Sequence, residues 1–108
     1  MTIPAPKDLN AAFHTAQFAL QDARTIFFTT HERTDGDDLG TVLALYHALK
    51  KSGKNVLIGV KGGVPSQLQF LPGYNEVVGE FPKTFAPDAI VVSGCSNLER
   101  TGMMELAQ

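Results

Sequence analysis

Three short runs of apolar and β-branched residues constrain the fold of this chain more than any other feature. They cover residues 25–30, 55–60 and 89–93, and none contains a charged side chain. Continuous apolar strands of this kind are buried on both faces, which is typical of parallel sheets. Between the first two runs, apolar residues recur at helical spacing at Leu39, Val42, Leu43, Tyr46 and Leu49. The order strand, helix, strand therefore predicts an α/β domain with a largely parallel sheet flanked by helices.

Weaker patterns predict four further elements. A first helix is indicated by an apolar stripe formed by Leu9, Ala12, Phe13, Ala16 and Leu20. One helical turn is expected at 66–71, a short strand at 76–78, and a helix from Leu98 onward. This last pattern stops in mid-turn, so its helix would lack a surface to pack against. The sequence thus predicts one partial, truncated domain over residues 1–108.

The segment that joins the first strand to the following helix carries an imidazole, His31, and three closely spaced carboxylates, Asp35, Asp37 and Asp38. Three acids within four positions repel one another unless a cation or a set of N–H donors holds them together. Carboxylate oxygens with a neutral imidazole nitrogen suit Mn²⁺, Fe²⁺ or Zn²⁺ better than Ca²⁺. An acidic turn that caps the helix would explain one or two of the aspartates. It gives no reason for a histidine at the strand end, so the pattern favours a metal site.

The overall composition excludes several classes of function. The chain has 108 residues, enough for one domain, and its net charge of −2 argues against a surface that binds duplex nucleic acid. No apolar run approaches the length of a membrane span, and the first residues lack the basic and apolar parts of a signal peptide. The single cysteine, Cys95, fits a reducing compartment. We therefore expect a cytoplasmic protein with no membrane partner.

Segments 31–40 and 91–100 resemble two motifs of the DHH (or DDH, RecJ-like) phosphoesterase superfamily. The nearest branch combines oligoribonuclease with 3′-phosphoadenosine 5′-phosphate phosphatase activity, and its first motif reads like His-x-x-Pro-Asp-Gly-Asp-Ala-Leu-Gly. This chain follows that pattern from His31 to Gly40, with Thr34 in place of the proline and Asp38 in place of the alanine. The resemblance extends over residues 25–102. It implies a Rossmann-like sheet that forms the N-terminal part of a DHH domain.

The resemblance also implies a manganese-dependent phosphoesterase site. His31 and Asp35 would bind one Mn²⁺ and Asp37 a second, whereas Asp38 would lie at the helix N-terminus without binding metal. Arg100 is a weaker candidate for binding substrate phosphate. In such a site two cations activate water and neutralise the phosphoryl oxygens. The expected substrates are short oligonucleotides or nucleotide phosphates such as 3′-phosphoadenosine 5′-phosphate.

The second motif departs from the family where an aspartate would bridge the two metals. The family reads like Leu-Asp-Cys-Gly-Asp-Leu-Glu-Arg, whereas this chain has Gly94 at the first aspartate. The third motif, Asp-His-His, does not occur in these 108 residues. We therefore expect little activity from this chain alone. The alternatives are a non-catalytic remnant that binds a metal or a phosphate, and a scaffold module whose acidic loop has no metal function.

Overall fold

A computed structural model describes residues 8–95, 97–103 and 106 of the chain. Its centre is a sheet of three parallel strands in the order β2-β1-β3. The strands are β1 (Thr25–Thr30), β2 (Asn55–Ile58) and β3 (Ala89–Ser93). The predicted α/β class with a parallel sheet is confirmed. β1 and β3 have the predicted bounds, and β2 ends two residues before the predicted limit.

Helices flank this sheet. The helix α1 (Leu9–Asp22) precedes β1, and α2 (Gly36–Lys51) connects β1 to β2. Short 3₁₀ turns cover Ser66–Leu68, Tyr74–Glu76 and Leu98–Thr101. The first turn of α2 is acidic and its last turn is basic, which complements the helix dipole at both ends.

The central strand β1 is buried on both of its faces. Successive side chains alternate between the two faces of a strand. Ile26 and Phe28 pack in the cluster that includes Leu39, Val42, Leu43 and Tyr46 of α2. Phe27 packs in a second cluster with Met103 and Leu106. Because all three of these β1 side chains are fully buried, β1 is held firmly and gives the residues that follow it a rigid base.

Two predicted elements near the second and third strands are wrong in form. Over the described residues, the helix expected from Leu98 onward is replaced by the 3₁₀ turn Leu98–Thr101, which ends at Gly102 because that residue has the left-handed φ of 72°. Residues 104, 105, 107 and 108 of the expected helix lie outside the described part of the chain. Met103 then enters the core beside Phe27. The strand expected at 76–78 is reduced to one parallel bridge between Gly59 and Val78.

The apolar stripe of α1 forms as a helix but is mostly exposed. Leu9 is 70% exposed and Phe13 is 65% exposed, whereas Leu20 packs against the core cluster on α2. Nothing in the described part of the chain covers the first two turns of this stripe. Among the same residues, no helix has the length and apolar character needed to cross a membrane.

Candidate metal centre

The two polar segments singled out in the sequence meet at one edge of the sheet. The last residues of β1 and β3, Thr30 and Ser93, are partners in the parallel register. The buried Thr30 hydroxyl donates a hydrogen bond to the Ser93 carbonyl at 2.8 Å. His31 and Gly94 follow directly, so both lie at the carboxyl ends of adjacent strands. Ligands of open α/β sheets bind at this edge.

His31 is held in one orientation by its own loop. Its Nδ1 lies 2.7 Å from the carbonyl oxygen of Glu32, and since a carbonyl only accepts, Nδ1 must carry a proton. Nε2 therefore faces the carboxylates, 2.9 Å from Asp38 Oδ2 and 3.7 Å from Asp35 Oδ2. The side chain is only 12% exposed. The hydrogen bond to Glu32 and then the hydrogen bond and charge of Asp38 raise the pKa of His31, although burial opposes them.

Asp35 is the N-cap of α2. Its backbone is extended, and its Oδ1 accepts a hydrogen bond from the N–H of Asp38 at 2.9 Å. This is the usual cap geometry, in which the side chain satisfies an N–H group of the first helical turn. The second oxygen, Oδ2, remains directed toward His31. Asp35 can therefore cap the helix with one oxygen and bind a cation with the other.

The structure brings together His31, Asp35 and Asp38 rather than the predicted set of His31, Asp35 and Asp37. One nitrogen or oxygen atom from each of the first three lies within 4.8 Å of the others. Asp37 is exposed in the first turn of α2 and lies outside this group, and its role as a metal ligand remains a prediction. Asp38 occupies the third position of the helix, from which an acidic side chain reaches back toward the cap.

The donor set fits a transition-metal ion of the kind the sequence predicts. Ligand atoms about 2.0–2.2 Å from one cation lie about 3 Å apart when they are adjacent. The separations of 2.9 and 3.7 Å from His31 Nε2 are close to that value. The proton on Nδ1 leaves Nε2 as the nitrogen that can coordinate a metal, and the Glu32 carbonyl fixes that tautomer from behind. A site with so few protein ligands leaves positions open for water or a substrate oxygen.

An open pocket of about 470 Å³ adjoins the cluster. It is lined by His31, Glu32, Arg33, Glu99 and Arg100. The two lining segments are tied together, because the N–H of Glu32 donates to the carbonyl of Arg100 at 2.9 Å. Arg100, the predicted phosphate contact, thus lies beside the cluster. Arg33 is a second cation in this pocket that the sequence interpretation missed.

Arg33 has an unusual backbone conformation, with the left-handed φ of 55° in a residue other than glycine. Conformations of this kind cluster at functional sites, where the surrounding structure holds them. Among the described residues neither Arg33 nor Arg100 forms an ion pair with an acid. Within that part of the chain, both guanidinium groups are therefore available to bind an anion.

The single cysteine, Cys95, lies near the same edge of the sheet. Burial raises the pKa of the Cys95 thiol, which disfavours the thiolate that a nucleophile needs.

A scan against protein-family models gives no match for this chain, and a search of curated proteins gives none either. A search of solved structures gives an exopolyphosphatase-related protein from Bacteroides fragilis at 22% sequence identity, with a TM-score of 0.76. The match covers 97% of this chain and 32% of that protein. The chain therefore spans about a third of the length of this structural neighbour, and over that span the two share an α/β fold.

Proposed function

We propose that this chain is a metal-binding domain of the phosphoesterase type, in complete form a manganese-dependent hydrolase of short oligonucleotides or nucleotide phosphates. One observation carries the proposal: an imidazole and two carboxylates converge within 4.8 Å at the carboxyl edge of a parallel sheet. Support comes from the fold shared with an exopolyphosphatase-related protein and from the resemblance of segment 31–40 to the first DHH motif. The two arguments are independent, because one rests on backbone shape and the other on residue types.

The residues around the cluster have distinct parts in this proposal. His31 and Asp35 would hold one divalent cation, and the resemblance assigns a second to Asp37; these cations would supply charge neutralisation and activation of water. Arg33 and Arg100 pair with the phosphate oxygens, since guanidinium groups bind such oxygens in a planar, two-point geometry. The pocket of about 470 Å³ has room for a nucleotide-sized ligand. His31 acts as a ligand through Nε2, because Nδ1 is engaged with the Glu32 carbonyl.

A second candidate function is a domain that binds metal or phosphate without catalysis. Gly94 favours it, because position 94, at the end of β3, has no carboxylate with which to bridge two cations. Two cations a few ångströms apart repel each other strongly unless a carboxylate lies between them. A single weakly held cation is then the expected state of this chain. A scaffold role without any metal is the third possibility, and the first experiment below separates it from the other two.

The first experiment is a calorimetric titration with Mn²⁺. It compares the unmodified chain with a double variant, Asp35→Asn and Asp37→Asn, and with a charge-matched control that combines Asp22→Asn and Glu80→Gln at two exposed positions. We expect binding heat from the unmodified chain and the control, and none from the double variant. Equal heats from all three proteins would show that segment 31–38 is only an acidic turn.

The second experiment separates catalysis from binding. The chain is incubated with Mn²⁺ and a dinucleotide, and in a parallel sample with 3′-phosphoadenosine 5′-phosphate, and products are followed by chromatography. We expect turnover far below 1 per second, a slow rate for an enzyme. Slow release that the double variant lacks supports the hydrolase proposal. Binding of Mn²⁺ without release of product from either substrate favours the non-catalytic alternative.

A further inference from the structure

The Asp38 carboxylate lies directly against the backbone of Gly94. A Cβ atom built on Gly94 would overlap the carboxylate carbon and oxygens of Asp38. Gly94 also has a left-handed φ of 75°, which favours glycine. Asp38 therefore fills the space beyond the end of β3 in which a side chain of residue 94 would begin. As the structure stands, positions 38 and 94 cannot both carry a side chain that reaches into the site.

Both positions are among those at which the chain departs from the motifs it resembles. The first motif has alanine at the position of Asp38, and the second has a metal-bridging aspartate at the position of Gly94. This chain has the carboxylate at the first position and no side chain at the second. Two departures of opposite sense that touch in space are naturally explained as one change.

We infer that Asp38 supplies, from α2, the metal-binding carboxylate that β3 does not supply at Gly94. The inference rests on the proposed metal site and assigns it an additional ligand. Asp38 Oδ2 lies 2.9 Å from His31 Nε2, which is a suitable separation for two ligands of one cation. The Asp38 side chain is 25% exposed, so it lies mostly inside the site. Because Gly94 has no side chain, the Asp38 carboxylate can occupy this space.

A purely structural role for Asp38 makes a different prediction. A carboxylate in the first turn of a helix stabilises the helix through its interaction with the helix dipole, and that effect does not depend on a metal ion. A metal ligand, in contrast, changes the affinity for Mn²⁺ and the stabilisation that Mn²⁺ adds. The melting temperature in EDTA reports the first role. The increase in melting temperature on addition of Mn²⁺ reports the second.

The test compares the unmodified chain with Asp38→Asn, Asp38→Ala, and the exchange variant that combines Asp38→Ala with Gly94→Asp. Asp22→Asn alone is the charge-matched control for the single variants. Mn²⁺ affinity is measured by calorimetry, and melting is followed with EDTA and with Mn²⁺. We expect both single variants at Asp38 to bind Mn²⁺ at least about tenfold more weakly and to lose most of the Mn²⁺-dependent increase in melting temperature. The exchange variant should regain affinity relative to Asp38→Ala, since aspartate tolerates a left-handed φ better than most residues.

The outcomes separate this inference from the proposal on which it rests. If the unmodified chain binds Mn²⁺ and Asp38→Asn binds it equally well, the inference is overturned and the proposed site stands. If the unmodified chain does not bind Mn²⁺, both are overturned. Asp38→Asn has nearly the shape of the native side chain, so it keeps the test valid even if Asp38→Ala does not fold.

Discussion

Asp35 allows the structural and the metal-binding roles of one carboxylate to be measured separately. Its Oδ1 accepts the N–H of Asp38 at 2.9 Å, and its Oδ2 faces His31 Nε2 at 3.7 Å. Replacement by asparagine keeps an acceptor for the cap and removes the charge. Replacement by alanine removes both. The difference in stability between the two variants therefore measures the capping hydrogen bond. The loss of Mn²⁺ affinity that both variants share measures the contribution of the carboxylate as a metal ligand.

The expected difference in stability follows from the single capping hydrogen bond. Asparagine caps helices about as well as aspartate, whereas alanine at an N-cap costs about 1 kcal/mol. In EDTA we therefore expect Asp35→Ala to have a free energy of unfolding about 1 kcal/mol lower than that of Asp35→Asn. For a domain of this size, that difference lowers the melting temperature by about 4 °C. Both variants should bind Mn²⁺ at least about tenfold more weakly than the unmodified chain.

Urea unfolding in EDTA and calorimetric titration with Mn²⁺ measure the two effects on the same samples. Equal stability of the two variants would contradict the cap that the structure shows. Unchanged Mn²⁺ affinity of Asp35→Asn would contradict its role as a ligand, even if the cap is confirmed. The two parts of the argument can therefore fail independently.

Three further predictions concern pH and packing. In EDTA, the stabilisation that protonated His31 provides should be complete below pH 6.5 and lost as the pH rises through its raised folded pKa. Urea unfolding of the unmodified chain and of His31→Gln at several pH values measures this. The variant should not lose stability over that pH range. Gly59→Ala should lower the free energy of unfolding by about 1–3 kcal/mol, because its Cβ would lie 3.0 Å from the buried ring of Phe27. As a control, the Cβ of Gly40→Ala in α2 meets no atom within 4 Å, so this variant should raise the free energy of unfolding by about 0.5–1 kcal/mol. Two backbone N–H groups at the start of β1 lower the pKa of Asp88, so its stabilisation should be present above pH 3.8 and lost as the pH falls through the lower folded value, with a smaller loss in Asp88→Asn.

The strands could be predicted well because their physical basis is local. β1 and β3 are apolar without interruption, and a strand buried on both faces needs that composition. The end of the chain was harder to predict, since Leu98, Met103 and Leu106 are spaced in a way that also suits a helix. In the structure these side chains reach Phe27 through a 3₁₀ turn that ends at Gly102. Gly102 ends the turn, and the periodicity of the apolar residues alone could not predict that effect.

The choice between Asp37 and Asp38 shows what motif spacing leaves undetermined. Neighbouring residues of a helix point about 100° apart, so only one of the two can face the site beside His31. Residues four apart share a face: Asp38 lies one turn before Val42, which is buried against the sheet, and Asp37 lies one turn before Thr41, which is exposed. The apolar pattern that predicted α2 therefore also predicts which face of the helix is turned toward the sheet. A motif gives the order of the ligands along the chain, but burial of the helix decides which carboxylate faces the end of β1.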